Sequence, residues 1–182
     1  MIKVMSNPIL VFLRCTFLIV SMVAFHACQS AAPDVKSTLY EPYPNVIFDM
    51  GNIHDGNRAI ADAFSEYEKG NYEKAYTLFN TLTFEEKTPD IHFYTGMSLF
   101  ASGKFEESVG PLRIGGKYGS QFQEAAEYYL VIADYERGKK EIAFDRLKVM
   151  LAQNRLGGFS EKGQQLVKYI AADPDIKENF PE

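Results

Sequence analysis

The chain has 182 residues, 46% of them hydrophobic and 24% charged, with 19 Lys and Arg against 24 Asp and Glu. A net charge of −5 on this composition excludes a disordered polyelectrolyte and gives no whole-chain attraction to a phosphate backbone. The only cysteines are Cys15 and Cys28, so neither a disulfide framework nor a four-ligand zinc site can form, and one domain held by packing is expected.

Residues 1–27 contain Lys3 and Arg14 and no acid. From Cys15 to Ala27 the run CTFLIVSMVAFHA is apolar apart from small hydroxyls and His26. A basic leader followed by an apolar stretch of about 7–15 residues has the pattern of a secretory signal. The Ala27-Cys28 junction resembles the end of a bacterial lipoprotein signal. That resemblance implies removal of 1–27, lipidation of Cys28, and a mature chain anchored on a membrane facing the periplasm or the cell surface. Gln29 in place of an aspartate favours an outer membrane on the same ground. Two alternatives stay open. Ile9–Ala27 is 19 residues, near the ~20 of a spanning helix although Arg14 interrupts it, which would make an uncleaved anchor. The third is a soluble secreted product.

Residues 28–55 read as a tether, because Gln29–Ser37 is polar and Pro33, Pro42 and Pro44 deny a helix. Val46-Ile47-Phe48 is a short apolar patch that can dock on the domain or form an isolated strand. Asp49, His54 and Asp55 lack the alternating oxygen spacing of a calcium loop. Turn and capping duty suits them better, with Asp55-Gly56 a turn pair and Asn57 an N-cap. No metal and no cofactor is expected.

From 56 to about 155, within a domain expected over 56–172, the chain repeats. Gly70, Gly103 and Gly138 lie 33 and 35 residues apart. Two positions after each stand Tyr72, Phe105 and Lys140. Five after come Ala75, Ser108 and Ala143, and nine after come Phe79, Leu112 and Leu147. Seven before stand Ala63, Gly96 and Val131. The motifs KGNYEKAYTLF, SGKFEESVGPL and RGKKEIAFDRL, at a period near 34, resemble the tetratricopeptide repeat, a helix–turn–helix unit. The resemblance implies an all-α fold: a short α-solenoid of three such repeats with a C-terminal capping helix. Lys140 stands where an aromatic is usual, and Pro111 falls inside a second helix, which it should bend or shorten.

Local signals mark the helix starts. Thr88-Pro89-Asp90 supplies an N-cap, a first-turn proline and an acid at the positive end of the dipole. Ser120 and Gln123 have the spacing of a capping box. After Gly157-Gly158, an amphipathic helix over Ser160–Ala172, with Leu166, Val167 and Ile170 on its apolar face, is expected to cap the stack. Residues 173–182 read as a loose tail.

Catalytic constellations are not apparent. His54 and His92 stand on different elements, and no helix carries a paired-histidine metal motif. Gly110–Lys117 resembles a phosphate loop only superficially: its spacing is wrong, Tyr118 stands where Ser or Thr is needed, and it sits at a helix end. Gly115, Gly116 and Gly119 read instead as a loop between repeats. The charged runs at 85–87 and 137–141 are mixed in sign, with no basic stripe for nucleic acid.

The inner face of the first helices is aromatic, presenting Tyr67, Phe93, Met97, Phe100, Tyr128, Ile132 and Tyr135. In the resembled family this face lines a concave groove that binds a peptide or partner helix, which makes these seven the candidate partner-binding residues. The competing assignment is inter-repeat core. Ile60 and Phe64 occupy the places of the Lys and Asn clamp with which some members hold acidic chaperone C-termini. The function expected is a membrane-tethered scaffold of the cell envelope, with a protein partner and no enzymatic activity. The alternatives are a small-ligand binder or enzyme using the aromatic groove as a pocket, and a permanent structural subunit.

Overall fold

The left-handed turns that the repeat glycines promise are present in the computed structural model, which describes residues 35–47, 58–117 and 119–179. Those residues form helices and no strand: α1 (Val35–Leu39), α2 (Arg58–Glu68), α3 (Tyr72–Thr81), α4 (Pro89–Ala101), α5 (Phe105–Gly115), α6 (Gln123–Glu136), α7 (Lys140–Ala152), α8 (Ser160–Ala171) and α9 (Pro174–Asn179). A 3₁₀ turn at Gly157–Phe159 leads into α8. The leader, Cys28, and the group Asp49, His54 and Asp55 lie outside the described residues.

Gly70, Gly103 and Gly138 have φ of +77°, +74° and +78°. Each closes a Schellman motif: Gly70 N–H bonds Tyr67 O while Asn71 N–H bonds Glu66 O, and the pattern recurs from Gly103 to Phe100 with Lys104 to Leu99, and from Gly138 to Tyr135 with Lys139 to Asp134. These turns reverse the chain between α2 and α3, α4 and α5, and α6 and α7. A fourth turn of the same type ends α7, where Asn154 takes φ +52°. Asn tolerates that region through its short polar side chain.

Each helix of the series packs on its chain neighbours, α2 on α3, α3 on α4 and onward to α8. The small positions make this possible. Ala75, Ser108 and Ala143 are 0% exposed, as are Phe79, Leu112 and Leu147 one turn further on. At Gly96 a Cβ would stand 2.7 Å from Leu112 Cγ, so this α4 position must be small for α5 to approach. Ala75→Leu and Ala143→Leu should therefore each overpack a closed contact and cost about 1–3 kcal/mol. Thermal melting of the two variants is the check, and unchanged midpoints would show that these contacts are not tight.

The α4 start is as its sequence signals: Thr88 Oγ1 accepts from Ile91 N–H at 3.3 Å, with Pro89 in the first turn. The capping box at Ser120 and Gln123 is not formed, because α6 begins only at Gln123. Instead Gln123 Oε1 accepts from Gly119 N–H and Ser120 Oγ accepts from Phe122 N–H. Phe122 is the reason. It is 1% exposed and stacks on Phe93 at 4.3 Å and 5°, which holds residues 120–122 in a turn rather than a helix. Helix α5 continues through Pro111 to Gly115.

Helix α8 packs on α7 with Gly163, Leu166 and Ile170 buried. Two expectations need correction. The tail is not loose over 174–179: Pro174 opens α9, a first-turn position that proline favours, and Ile176 is 1% exposed. The tether is not loose over 35–47 either. Pro42 and Pro44 follow α1 rather than interrupt it, and Leu39 at its end is 0% exposed.

Candidate functional site

A stretch of non-helical backbone packed against other elements needs partners for those N–H and C=O groups that leave water, because it has no helix or sheet ladder to supply them. Residues 39–47 lie against the aromatic face of α2, α4 and α6, and that face provides such partners. Tyr128 Oη donates to Leu39 O at 3.0 Å and Tyr129 Oη to Glu41 O at 2.6 Å. Tyr67 Oη donates to Tyr43 O at 2.6 Å and Tyr94 Oη to Pro44 O at 2.8 Å. The Tyr94 hydroxyl also accepts from Val46 N–H at 3.0 Å. Burial pushes the hydroxyls of Tyr67, Tyr94, Tyr128 and Tyr129 up from their ordinary value, so all four remain protonated donors at neutral pH.

The side chains of the segment complete the contact. Leu39 is enclosed. The Tyr43 ring meets Phe93 and Phe122 edge-on, at 5.4 Å and 5.7 Å, and stacks on Phe159 at 6.1 Å. Tyr40 packs on Phe100 and Phe105 and donates its hydroxyl to Glu136 Oε1 at 2.5 Å. Lys36 reaches the same carboxylate at 2.8 Å and lies over the Tyr40 ring at 4.9 Å. Burial first, and the Glu136 hydrogen bond second, push the Tyr40 hydroxyl up.

Of the seven candidate residues, Tyr67, Phe93, Phe100 and Tyr128 touch this segment through the contacts above. Met97 and Ile132, both 0% exposed, belong to the core cluster beneath. Tyr135 is brought to a different place: half-buried at the end of α6, it donates to Asp173 at 2.5 Å and helps dock the start of α9 together with Lys140. The aromatic face of α2, α4 and α6 is thus covered by the chain's own residues 39–47.

Two residues of the site, Tyr94 and Tyr129, escape the sequence pattern. Each stands nine residues before its turn glycine, Gly103 or Gly138, and Ala61 holds the equivalent place before Gly70. That shared register was the available signal, but adjacent Phe93 and Tyr128 satisfied the inner-face period and drew the assignment.

The other candidates for chemistry resolve into packing. At Gly115 a Cβ would lie 2.5 Å from the Phe93 backbone, and at Gly116 it would lie 2.1 Å from Ala126 Cβ. These two glycines serve close helix approach, and only Gly119, with φ +80°, is a loop glycine. His92 lines a shallow outer cleft with Tyr76, Lys87 and Glu107, and burial followed by the Lys87 charge lowers its pKa. Among the described residues no three His, Cys, Asp or Glu converge on a metal-sized site, and no helix is long and apolar enough to cross a membrane. No family model, curated protein or solved structure matches the chain.

Proposed function

We propose that this chain is a membrane-tethered protein-interaction module of a bacterial cell envelope. On this reading, three tetratricopeptide-like helix hairpins form a short solenoid capped by α8, Cys28 carries the lipid, and the tyrosine-lined face of α2, α4 and α6 is a polypeptide-binding groove. One observation carries it: four tyrosine hydroxyls from three helices donate to backbone carbonyls, those of Leu39 at the end of α1 and of Glu41, Tyr43 and Pro44 in the non-helical stretch after it. Donors aimed at main-chain atoms suit a polypeptide, whereas a small-molecule site would need convergent polar groups around an enclosed space. The reading assigns no catalysis, cofactor or nucleic acid to the chain.

Crosslinking in intact membranes followed by pull-down tests the reading. A protein partner should be recovered with the parent chain and diminished with the double variant Tyr67→Phe, Tyr129→Phe. A monomer carrying a tightly bound small molecule and no protein would overturn it. A second reading, a permanent structural subunit, is favoured by the burial of Phe93, Tyr128 and Ile132, each 0% exposed. It expects the partner to stay bound in both forms and to contact another surface.

The anchor has its own test. Cys28→Ser should abolish lipid labelling and move the protein to a soluble fraction. A substituted protein that sediments with membranes as firmly as the parent would assign the anchor to the apolar leader instead.

A further inference from the structure

We infer that residues 39–44, Leu-Tyr-Glu-Pro-Tyr-Pro, act as an intramolecular ligand of the groove, and that the partner it takes in trans is a polypeptide segment of the same chemistry. That chemistry is an aliphatic side chain followed by an extended, proline-containing strand with an aromatic anchor four positions on. The inference rests on reading the groove as a polypeptide site and adds what is bound and what competes for it.

Three features of the contact support this. The first is its division of labour. Hydroxyls of Tyr67, Tyr94, Tyr128 and Tyr129 read carbonyls, which every peptide has, while selectivity falls to the enclosed Leu39 and to Tyr43 between Phe93, Phe122 and Phe159. The second is the match of donors to acceptors. Pro42 and Pro44 have no N–H to satisfy, so a strand rich in acceptors meets a face rich in donors, and proline holds the preceding residues extended. Ordinary residues at both positions would bring two more backbone donors to a face that offers mainly donors.

The third feature is shallow seating. Of residues 35–47 only Leu39 is fully buried, and the rest are half-buried or exposed, with Val35 at 53% and Val46 at 57%. The core cluster of the helical framework runs from Ala63 to Ile176 and takes in Leu39 as the one fully buried residue of the segment. A segment held by that side chain, the Tyr40 and Tyr43 rings, the Tyr40 and Lys36 contacts to Glu136 and a set of hydroxyl bonds, and otherwise half-buried or exposed, is a ligand that the framework can exchange. Residues 48–57 join it to α2, so it competes at an effective concentration on the order of millimolar, as short linkers give. The closed state therefore dominates until a trans segment outcompetes it. Exchange also lengthens the anchor: Cys28 to Val35 spans at most about 25 Å, whereas Cys28 to Arg58 spans up to about 100 Å.

The test uses the full chain and a fluorescent synthetic peptide of residues 37–47, read by anisotropy. The parent should bind it weakly. Leu39→Asp removes the cis anchor and should raise peptide affinity at least tenfold while helicity and cooperative melting persist. Adding Tyr67→Phe and Tyr129→Phe to that variant should lower peptide affinity about tenfold. A peptide with alanine at both proline positions should bind more weakly than the native one. Tyr43→Ser is the second opening variant and should behave as Leu39→Asp does.

Folded opening variants that bind the peptide no better than the parent would overturn the inference. Loss of cooperative melting in both would overturn it as well, because the segment would then be integral core. If the peptide fails but membrane crosslinking still recovers a partner that depends on Tyr67 and Tyr129, the inferred partner class is wrong and the interaction-module reading stands. If both fail, both are wrong.

Discussion

Phe93→Ala is expected to lower stability by about 3–5 kcal/mol, the range for truncating an enclosed aromatic, and to lower the melting temperature accordingly. The ring is 0% exposed and is gripped from several sides: it stacks on Phe122 at 4.3 Å and meets Tyr94 and Tyr43 edge-on at 5.3 Å and 5.4 Å. Its loss would empty the place where α4, the turn before α6 and the N-terminal segment converge. Phe100→Ala, at 2% exposure and packed between Phe105 and Tyr129, should fall in the same range.

Tyr128 is one of the seven candidate partner-binding residues, and a tyrosine suits a place that is apolar at one end and wet at the other. The structure places it with the core-like residues, since the wet end is replaced by the Leu39 carbonyl of the same chain. Tyr128→Phe should cost about 1–3 kcal/mol, the penalty for leaving that carbonyl unpaired, and Tyr128→Ala more. Circular-dichroism melting of the four variants orders them. Unchanged midpoints for Phe93→Ala and Tyr128→Phe would mean that these rings are not enclosed in solution.

Gly115→Ala is the second large effect. A Cβ there would sit 2.5 Å from the Phe93 Cα, Cβ and N, so backbone has to move and no flexible side-chain end can give way. The cost should reach or exceed the upper part of the ~1–3 kcal/mol typical of overpacking. Gly110→Ala is the matched control within the same helix α5. Its added methyl meets nothing within 4 Å, and the gain in helix propensity should leave the protein unchanged or more stable by up to about 1 kcal/mol. Both variants in one melting experiment separate a packing requirement from a propensity effect. Equal midpoints would show that α4 and α5 do not approach this closely.

The repeat turns were legible from sequence because their cause is local. A left-handed turn needs Gly or Asn at one position, and Gly70, Gly103 and Gly138 announce it to any reader of the sequence. The same holds for the Thr88-Pro89 start of α4 and for the apolar face of α8, both of which are written within one or two helical turns. Small residues facing large ones, Gly96 under Leu112 for instance, were legible once the repeat phase was set.

What the sequence did not contain in readable form is which segment of the chain lies on the aromatic face of α2, α4 and α6. Residues 39–44 carry two prolines, two tyrosines, a leucine and a glutamate, a composition equally suited to a free tether and to a docked ligand. The decision is made by hydroxyls far along the chain: Tyr128 and Tyr129 reach Leu39 and Glu41 across 89 and 88 positions, and Tyr94 reaches Pro44 across 50. The docking of α9 is of the same kind, with Tyr135 held to Asp173 across 38 positions. Sequence by itself determined the helices from α2 to α8, the turns between them and their small contact points, because propensity, capping and left-handed backbone act between near neighbours. Only the tertiary structure decided that the aromatic face is filled by the N-terminal segment, because pairing a donor with a distant carbonyl depends on where three helices bring their tyrosines together.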